Sequence, residues 1–319
     1  MSGTPMSSRP DPEPSEEIVE GSEVSAIELE RSAKQPLAPG LYLVGTPIGN
    51  LGDITLRALR VLREADRIAC EDTRQTQKLL NHFGITTPTI SCHEHNEAER
   101  IPEFLAAIEK GARIAIVSDA GMPGISDPGM RIAAAAIAAG MTVYPIPGAN
   151  AALSALVASG LNTERFIYAG FLPAKAGARR AALEEMAEKS EDGTTLIFYE
   201  APHRILETLG DVQAVWGEGC RVVVARELTK LHEEFLRGCV ADVAAALKQR
   251  DRIRGEITLL VEARTAPTGA TFGSITERIA ELQQAEKFEE KDALKRIARE
   301  RGLSKSDVYR ELQRERAKR

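Results

Sequence analysis

Ser118-Asp119-Ala120-Gly121-Met122-Pro123-Gly124-Ile125-Ser126-Asp127-Pro128-Gly129 sets the pattern of this 319-residue chain. It lies between an apolar run, Arg113–Ser118, and an alanine-rich run, Met130–Ala139. The first reads as a short buried strand and the second as a helix. The join holds three glycines, two prolines and two aspartates. Glycine has no Cβ, so such a loop brings main chain close to a ligand. Gly121 and Gly124 are the positions where that approach is expected.

The same unit recurs on both sides. Strands are predicted at Leu41–Val44, Arg67–Cys70, Thr89–Ser91 and Thr142–Ile146, and helices near Ile54–Glu64, Thr73–Asn81, Ala98–Lys110 and Ala149–Ala158. Short apolar strands each followed by a helix imply a mostly parallel, buried sheet. Every strand end carries chemically able residues. Gly45-Thr46-Pro47-Ile48-Gly49-Asn50 follows the first strand, Glu71-Asp72-Thr73-Arg74 the second, His93-Glu94-His95-Asn96-Glu97 the third and Pro147-Gly148-Ala149-Asn150 the fifth. In an open parallel sheet, ligands bind at the carboxyl ends of strands.

A second set of strands is predicted at Phe166–Ala169, Thr194–Tyr199, Arg221–Ala225, Glu234–Arg237 and Glu256–Val261. Only one short helix, near Val240–Lys248, falls among the last three, so this sheet should be mixed. Its strand ends carry Tyr199-Glu200-Ala201-Pro202-His203-Arg204 and Arg226-Glu227-Leu228-Thr229-Lys230-Leu231-His232-Glu233. The expected organisation is an acidic, disordered tail at 1–38, an α/β domain at 39–162, a second at 163–264 and a basic helical module at 274–319. The boundary between the α/β domains is placed near Gly160–Arg165, and a linker at Ala263–Gly273.

Formal net charge is -6, yet unevenly spread. Residues 1–35 hold eight acidic and three basic side chains, whereas Lys291 to Arg319 hold eleven basic and five acidic. Aromatics make up only 4%, which disfavours a protein that grips single strands chiefly by stacking. Cys70, Cys92, Cys220 and Cys239 form no C-x-x-C pair and read as reduced thiols. No charged start followed by an apolar core marks a signal peptide, and no apolar run is long enough to cross a bilayer. A cytoplasmic protein without membrane contact is the expectation.

Motif spacing excludes several chemistries. Gly45, Gly49 and Gly52 do not form G-x-G-x-x-G, and no Gly-Lys-Ser/Thr follows, so nicotinamide and P-loop readings are weak. His93-Glu94-His95 is not H-E-x-x-H. No third ligand accompanies the two histidines, so no metal is assigned.

Taken in order, GTPIGNLGDITLRAL, CEDTR, HEHNE, SDAGMPGISDPG, PGANA, GFLP, FYEAPHR and ARELTKLHEE resemble the tetrapyrrole-methylase superfamily. More closely, they resemble its branch of small-subunit ribosomal RNA methyltransferases, which modify the 2′-oxygen of a cytidine in the decoding centre. The likeness runs from about Leu41 to the C-terminus. It implies two α/β domains, S-adenosylmethionine folded into the cleft between them, and a homodimer acting on small-subunit ribosomal RNA or the assembled subunit. It implies cofactor contacts, mainly through backbone, at Thr46, Pro47, Asp119, Ala120, Ile125, Ser126, Asn150, Ala151, Tyr199, Glu200 and Ile257. Met122 departs from the pattern, which more often has threonine there.

Methyl transfer from a sulfonium to oxygen needs in-line alignment and exclusion of water. A ribose hydroxyl is a poor nucleophile, so a base that takes its proton helps. Glu71, Asp72, His93, His95 and Glu200 are able, with the second-strand carboxylates Glu71 and Asp72 and the histidine His95 preferred. Arg74, Arg204, Arg226 and Lys230 are suited to phosphates, and His93, Asn96 and His203 to substrate-facing loops. In the basic tail, Ala293, Leu294, Ile297 and Ala298 have helical spacing. Gly302 suits a left-handed helix end, and Ser304-Lys305-Ser306-Asp307 a new helix start. The result resembles a helix-turn-helix. A methyltransferase of a tetrapyrrole precursor and a non-catalytic ribosome-binding protein are the alternatives.

Overall fold

A computed structural model describes residues 36–125, 129–263, 274–286, 290–301 and 305–317. The acidic tail to residue 35, the 264–273 linker, Ser126, Gly302 and Ser304 lie outside these. Two compact units divide after Ala149.

The first unit is built on β1 (Gly40–Val44), β2 (Arg67–Cys70), β3 (Thr89–Ser91), β4 (Arg113–Val117) and β5 (Val143–Ile146). They stand in the order β3-β2-β4-β1-β5, all parallel. Helices α1 (Leu56–Glu64), α2 (Thr73–His82), α3 (Glu97–Glu109) and α4 (Met130–Ala138) connect them. Alternate strand residues enter different cores because side chains alternate across a sheet. Tyr42, Val44, Ile68, Ala115 and Val117 pack with Leu59, Leu62 and Leu80 of α1 and α2. Leu41, Ala69, Ile114 and Ile116 pack with Phe104, Ile108, Ile132 and Ala136 of α3 and α4. Both faces are thus covered, which is why these strands are largely apolar. Helix starts follow from sequence. Thr55 caps α1 by accepting from Ala58 N–H, and Asp72 caps α2 by accepting from Arg74 N–H.

The second unit begins with α5 (Ala151–Ser159). It continues through β6 (Phe166–Phe171), α6 (Ala176–Lys189), β7 (Thr194–Glu200), α7 (Ile205–Trp216), β8 (Arg221–Arg226), β9 (Glu234–Cys239), α8 (Val240–Lys248) and β10 (Ile257–Ala263). The sheet order is β6-β7-β10-β8-β9. Only the β6–β7 pair is parallel. Leu196, Phe198, Val222, Val224 and Leu259 pack with Leu183, Leu209, Trp216 and Leu247. Helix α5 packs on β7, β8 and β10, and Arg237 donates to the Ala158 carbonyl at 2.6 Å. The division therefore falls before α5, one element earlier than the sequence reading places it.

The basic tail carries α9 (Ile275–Glu286), α10 (Glu290–Arg301) and α11 (Lys305–Ala317). Ile275, Ile279 and Leu282 of α9 join Leu294, Ile297, Val308 and Leu312 in a separate core. The expected pair of helices has a third helix closing it. The Glu315 carboxylate accepts from the N–H groups of Ile275 and Thr276, at 3.0 and 3.2 Å, at the start of α9.

Candidate functional site

In the first unit Val44, Cys70, Ser91, Val117 and Ile146 lie on one row of the sheet register. All five polar loops therefore leave from one rim. Strand β1 leads across β4 to β2, whereas β4 leads across β1 to β5. The loops after these two neighbours depart in opposite directions, the arrangement that opens a ligand crevice in α/β sheets.

Those two loops are joined. Thr46 N–H donates to the Gly121 carbonyl at 2.9 Å and Gly121 N–H to that of Thr46 at 3.1 Å. The buried Thr46 hydroxyl donates to the Ser118 carbonyl at 3.2 Å, and the Ser118 hydroxyl to that of Gly121 at 3.1 Å. Gly121 has φ +85°, and Gly124 φ +81°. Other side chains are strained there, so the loop path requires glycine. The loops after β1 and β5 meet backbone to backbone. A Cβ on Gly45 would sit 2.7 Å from Gly148 Cα and 2.8 Å from the Met122 sulfur. Met122 thus lies against Gly45.

The loops after β2 and β3 are tied to the same rim. The exposed Asp119 carboxylate accepts from Asp72 N–H at 3.3 Å. Asp72 itself accepts from Arg74 N–H at 2.8 Å and pairs with its guanidinium at 3.0 Å. Those bonds hold its carboxyl below the usual range, which makes it a weaker base. Glu71 and His95 are exposed. His93 N–H donates to the Asn96 side chain at 2.8 Å, and its ring stands edge-on to His95 with centroids 5.9 Å apart. Its buried Nδ1 has no partner among the described residues. Glu97, also buried, accepts from Gly129 N–H at 3.0 Å and so closes the start of α4. The sequence reading gave Glu97 no such role. Pro47, Ala120 and Ile125 lie in the rim loops, Ile125 exposed. Ser126 is outside the described residues.

In the second unit Glu200, Ile257, Arg226 and Glu234 share one register row, so one sheet end gathers both of its polar motifs. Tyr199 stands edge-on to Tyr168 and Phe171. Asn150 caps α5, which Ala151 begins, by accepting from Leu153 N–H at 2.9 Å.

Arg204, Arg226 and Lys230 are engaged within the unit. Buried Glu200 accepts from the Thr208 hydroxyl at 2.6 Å and pairs with Arg204 at 3.2 Å, while Arg204 also donates to the Leu172 carbonyl at 2.9 Å. Arg226 pairs with Glu234 at 3.0 Å. Hydrogen bonding from Arg250 and Arg226 holds that carboxyl at about 2. Lys230 bridges Glu227 and Glu256 at 2.9 Å each. Burial lowers its pKa, but those two bonds outweigh burial and raise it. Glu227 and Thr229 adopt φ +53° and +65°, a costly conformation for residues other than glycine. His203 is exposed. Among the described residues no group of three or more histidine, cysteine, aspartate or glutamate residues is placed to hold a metal ion. All four cysteines are free thiols, and no described helix is long and apolar enough to cross a membrane.

The family model of tetrapyrrole (corrin/porphyrin) methylases matches residues 40–244. A ribosomal RNA small subunit methyltransferase I of Halalkalibacterium halodurans is 48% identical over 273 residues, 84% of this chain and 93% of its own. Those of Synechocystis sp. and Escherichia coli O157:H7 are 45% and 44% identical, each over 84% of this chain and over 95% and 93% of their own. A solved cobalamin biosynthetic enzyme, cobalt precorrin-4 methyltransferase, superposes with a TM-score of 0.50 at 18% identity. The match covers 69% of this chain and 93% of that one, a likeness of fold.

Proposed function

The chain belongs to the tetrapyrrole methylase family and within it to the small-subunit ribosomal RNA methyltransferases I, and from that premise we propose that it transfers a methyl group from S-adenosylmethionine to small-subunit ribosomal RNA. The acceptor in this reading is the ribose 2′-oxygen of a cytidine in the decoding centre, and the enzyme is a cytoplasmic homodimer. The observation that carries it is the rim of five in-register strand ends with the Thr46–Gly121 bridge at its switch point.

The rim suits an adenosyl sulfonium with an amino-acid tail. Left-handed Gly121 and Gly124 keep side chains off the main chain, and Asp119 offers an exposed carboxylate. Thr46, Pro47, Asp119, Ala120, Gly121, Gly124, Ile125 and Ser126 would hold the cofactor from the first unit. Asn150, Ala151, Tyr199, Glu200 and Ile257 would do so from the second. When bound, the sulfonium supplies an electrophilic methyl carbon.

The chain's own residues handle the nucleophile. Glu71 and His95, exposed at neighbouring strand ends, would take the proton of the ribose hydroxyl. Asp72, held by Arg74, would orient that loop. His93, Asn96, Arg74 and His203 would face the RNA. Arg204, Arg226 and Lys230, engaged by carboxylates, would shape the second unit's substrate end rather than hold phosphates. The α9–α11 module would dock the RNA, since its sequence carries the chain's basic excess. Labelled-methyl transfer tests the reading. Label should pass to small ribosomal subunits and not to a tetrapyrrole precursor. Label on the precursor, or on neither, would overturn it.

A further inference from the structure

A groove of about 420 Å³ opens in the second unit beside the start of α7, next to the loop that follows β7. Leu206 and Ile253, both half-buried over the core residue Leu247, give it an apolar floor, and His203, Lys248 and Arg252 line it with Arg250 and Asp251. Arg250 is bound to Glu234, at 2.8 Å for one of its contacts, and Glu234 also holds Arg226. One carboxylate thus serves two guanidiniums. Lys248 and Arg252 are exposed, and neither has an ion-pair partner among the described residues. Asp251 is the only acidic side chain in the lining, so the groove is net positive.

The basic residues of the second unit's strand-end motifs cannot supply this charge outward. Arg204, Arg226 and Lys230 are each committed to carboxylates of the same unit. The outward cations that line the groove are Lys248 and Arg252, which belong to no motif. An apolar floor beside paired cations matches a nucleotide better than a lone anion, because the anion has no use for the floor. Its size also suits one nucleotide of a strand.

We propose that this groove seats one nucleotide of the RNA strand flanking the methylated residue, with its phosphate at Lys248 and Arg252 and its sugar or base on Leu206 and Ile253. The proposal rests on the RNA methyltransferase reading above and adds to it where the strand runs. The cations neutralise the phosphate and release counterions, so binding through them weakens as salt rises.

The test compares the full-length protein with a Lys248→Gln, Arg252→Gln double variant, using purified small ribosomal subunits as probe. Subunit binding should weaken about tenfold, the loss falling on KM rather than kcat. The slope of log affinity against log salt should fall by about 1.4, two single-strand phosphate contacts at about 0.7 each. S-adenosylmethionine affinity should stay at the wild-type value. Arg204→Gln, by contrast, should lower the melting temperature and leave the salt slope alone. Equal KM and equal salt slope in the double variant would overturn the groove. A wild type that binds subunits without methylating them would overturn the catalytic reading alone, since the binding comparison still decides the groove. A wild type that binds no subunits would overturn both.

Discussion

Replacing Gly148 by alanine should damage the cofactor site through the backbone alone. The new methyl would sit 2.8 Å from both the carbonyl carbon and Cα of Gly45, and 2.9 Å from its oxygen. Carbon contacts are comfortable at about 3.5–4.0 Å, so the loops after β1 and β5 must separate by roughly 0.5–1 Å. No side chain can rotate away, because every contact is with main chain. Overpacking of this kind costs about 1–3 kcal/mol, or roughly 3–10 °C in melting temperature for a domain of this size. Thr46 follows Gly45 directly and is bridged to Gly121, so the shift passes into the loop after β4. A site held to within about 0.5 Å does not tolerate it. Affinity for S-adenosylmethionine should fall at least about tenfold, equivalent to about 1.4 kcal/mol. Calorimetric titration of the folded variant, with a thermal melt alongside, measures both effects. Gly140→Ala is the control. Its φ is +72° with nothing within 4 Å of the added methyl, and it lies past the far end of α4. It should lose about 1–2 kcal/mol of stability and keep its affinity. A Gly148→Ala protein that melts lower yet binds normally would remove the β1–β5 junction from the site. One that melts like wild type would refute the packing reasoning itself.

Glu71→Gln and His95→Ala should each lower turnover about 10²–10⁴-fold with cofactor affinity kept, whereas Asp72→Asn should cost less in rate and keep the α2 cap, since an asparagine oxygen still accepts from Arg74 N–H. Full activity in all three, measured by labelled-methyl transfer, would move the proton acceptor elsewhere. Burial raises the Glu315 carboxyl, but hydrogen bonds from Ile275, Ser274 and Thr276 outweigh it and hold it at about 2. Its folded value lies below its ordinary 4.5, so its contribution is present above that value and is lost as pH falls toward 2. Glu315→Gln should flatten this acid dependence in a melt of the full chain, and an unchanged profile would contradict the assignment. Truncation after Thr268 should spare S-adenosylmethionine binding and weaken subunit binding in a salt-dependent way. Unchanged kinetics would leave recognition to the two α/β units.

The first sheet was almost wholly legible, because strands covered on both faces are largely apolar and their ends carry glycine and polar clusters. Predicted strand β2 at Arg67–Cys70 matches residue for residue. Strand order was not legible, since it depends on long-range pairing that leaves no local mark. Helix α5 was assigned to the wrong unit because Ala151–Ser159 is apolar enough to suit either sheet. Its partners are chosen by contact, not by pattern. The rim loops were legible from their glycines and prolines. The pairing state of the charged motifs was not. Arg204, Arg226 and Lys230 read as phosphate holders, and only folding brings Glu200, Glu234 and Glu256 against them. Glu97 was hidden in the same way: in the sequence it is one more polar residue of HEHNE, in the fold a buried carboxylate at the start of α4. The third helix of the tail was missed as a partner of the other two, although Ile275, Ile279 and Leu282 carry helical spacing that could have revealed it.

Mapping of ribose methylation reports which atom of the RNA receives the methyl group. Small subunits from a strain lacking this protein would be incubated with the purified chain and S-adenosylmethionine, and their RNA then hydrolysed in alkali. A 2′-O-methyl group protects the adjacent linkage, because the hydroxyl that attacks the phosphate is blocked. One new protected linkage is expected, at a cytidine of the decoding centre, absent without the protein. A methyl group on a base, or no new methyl group in the RNA, would contradict it.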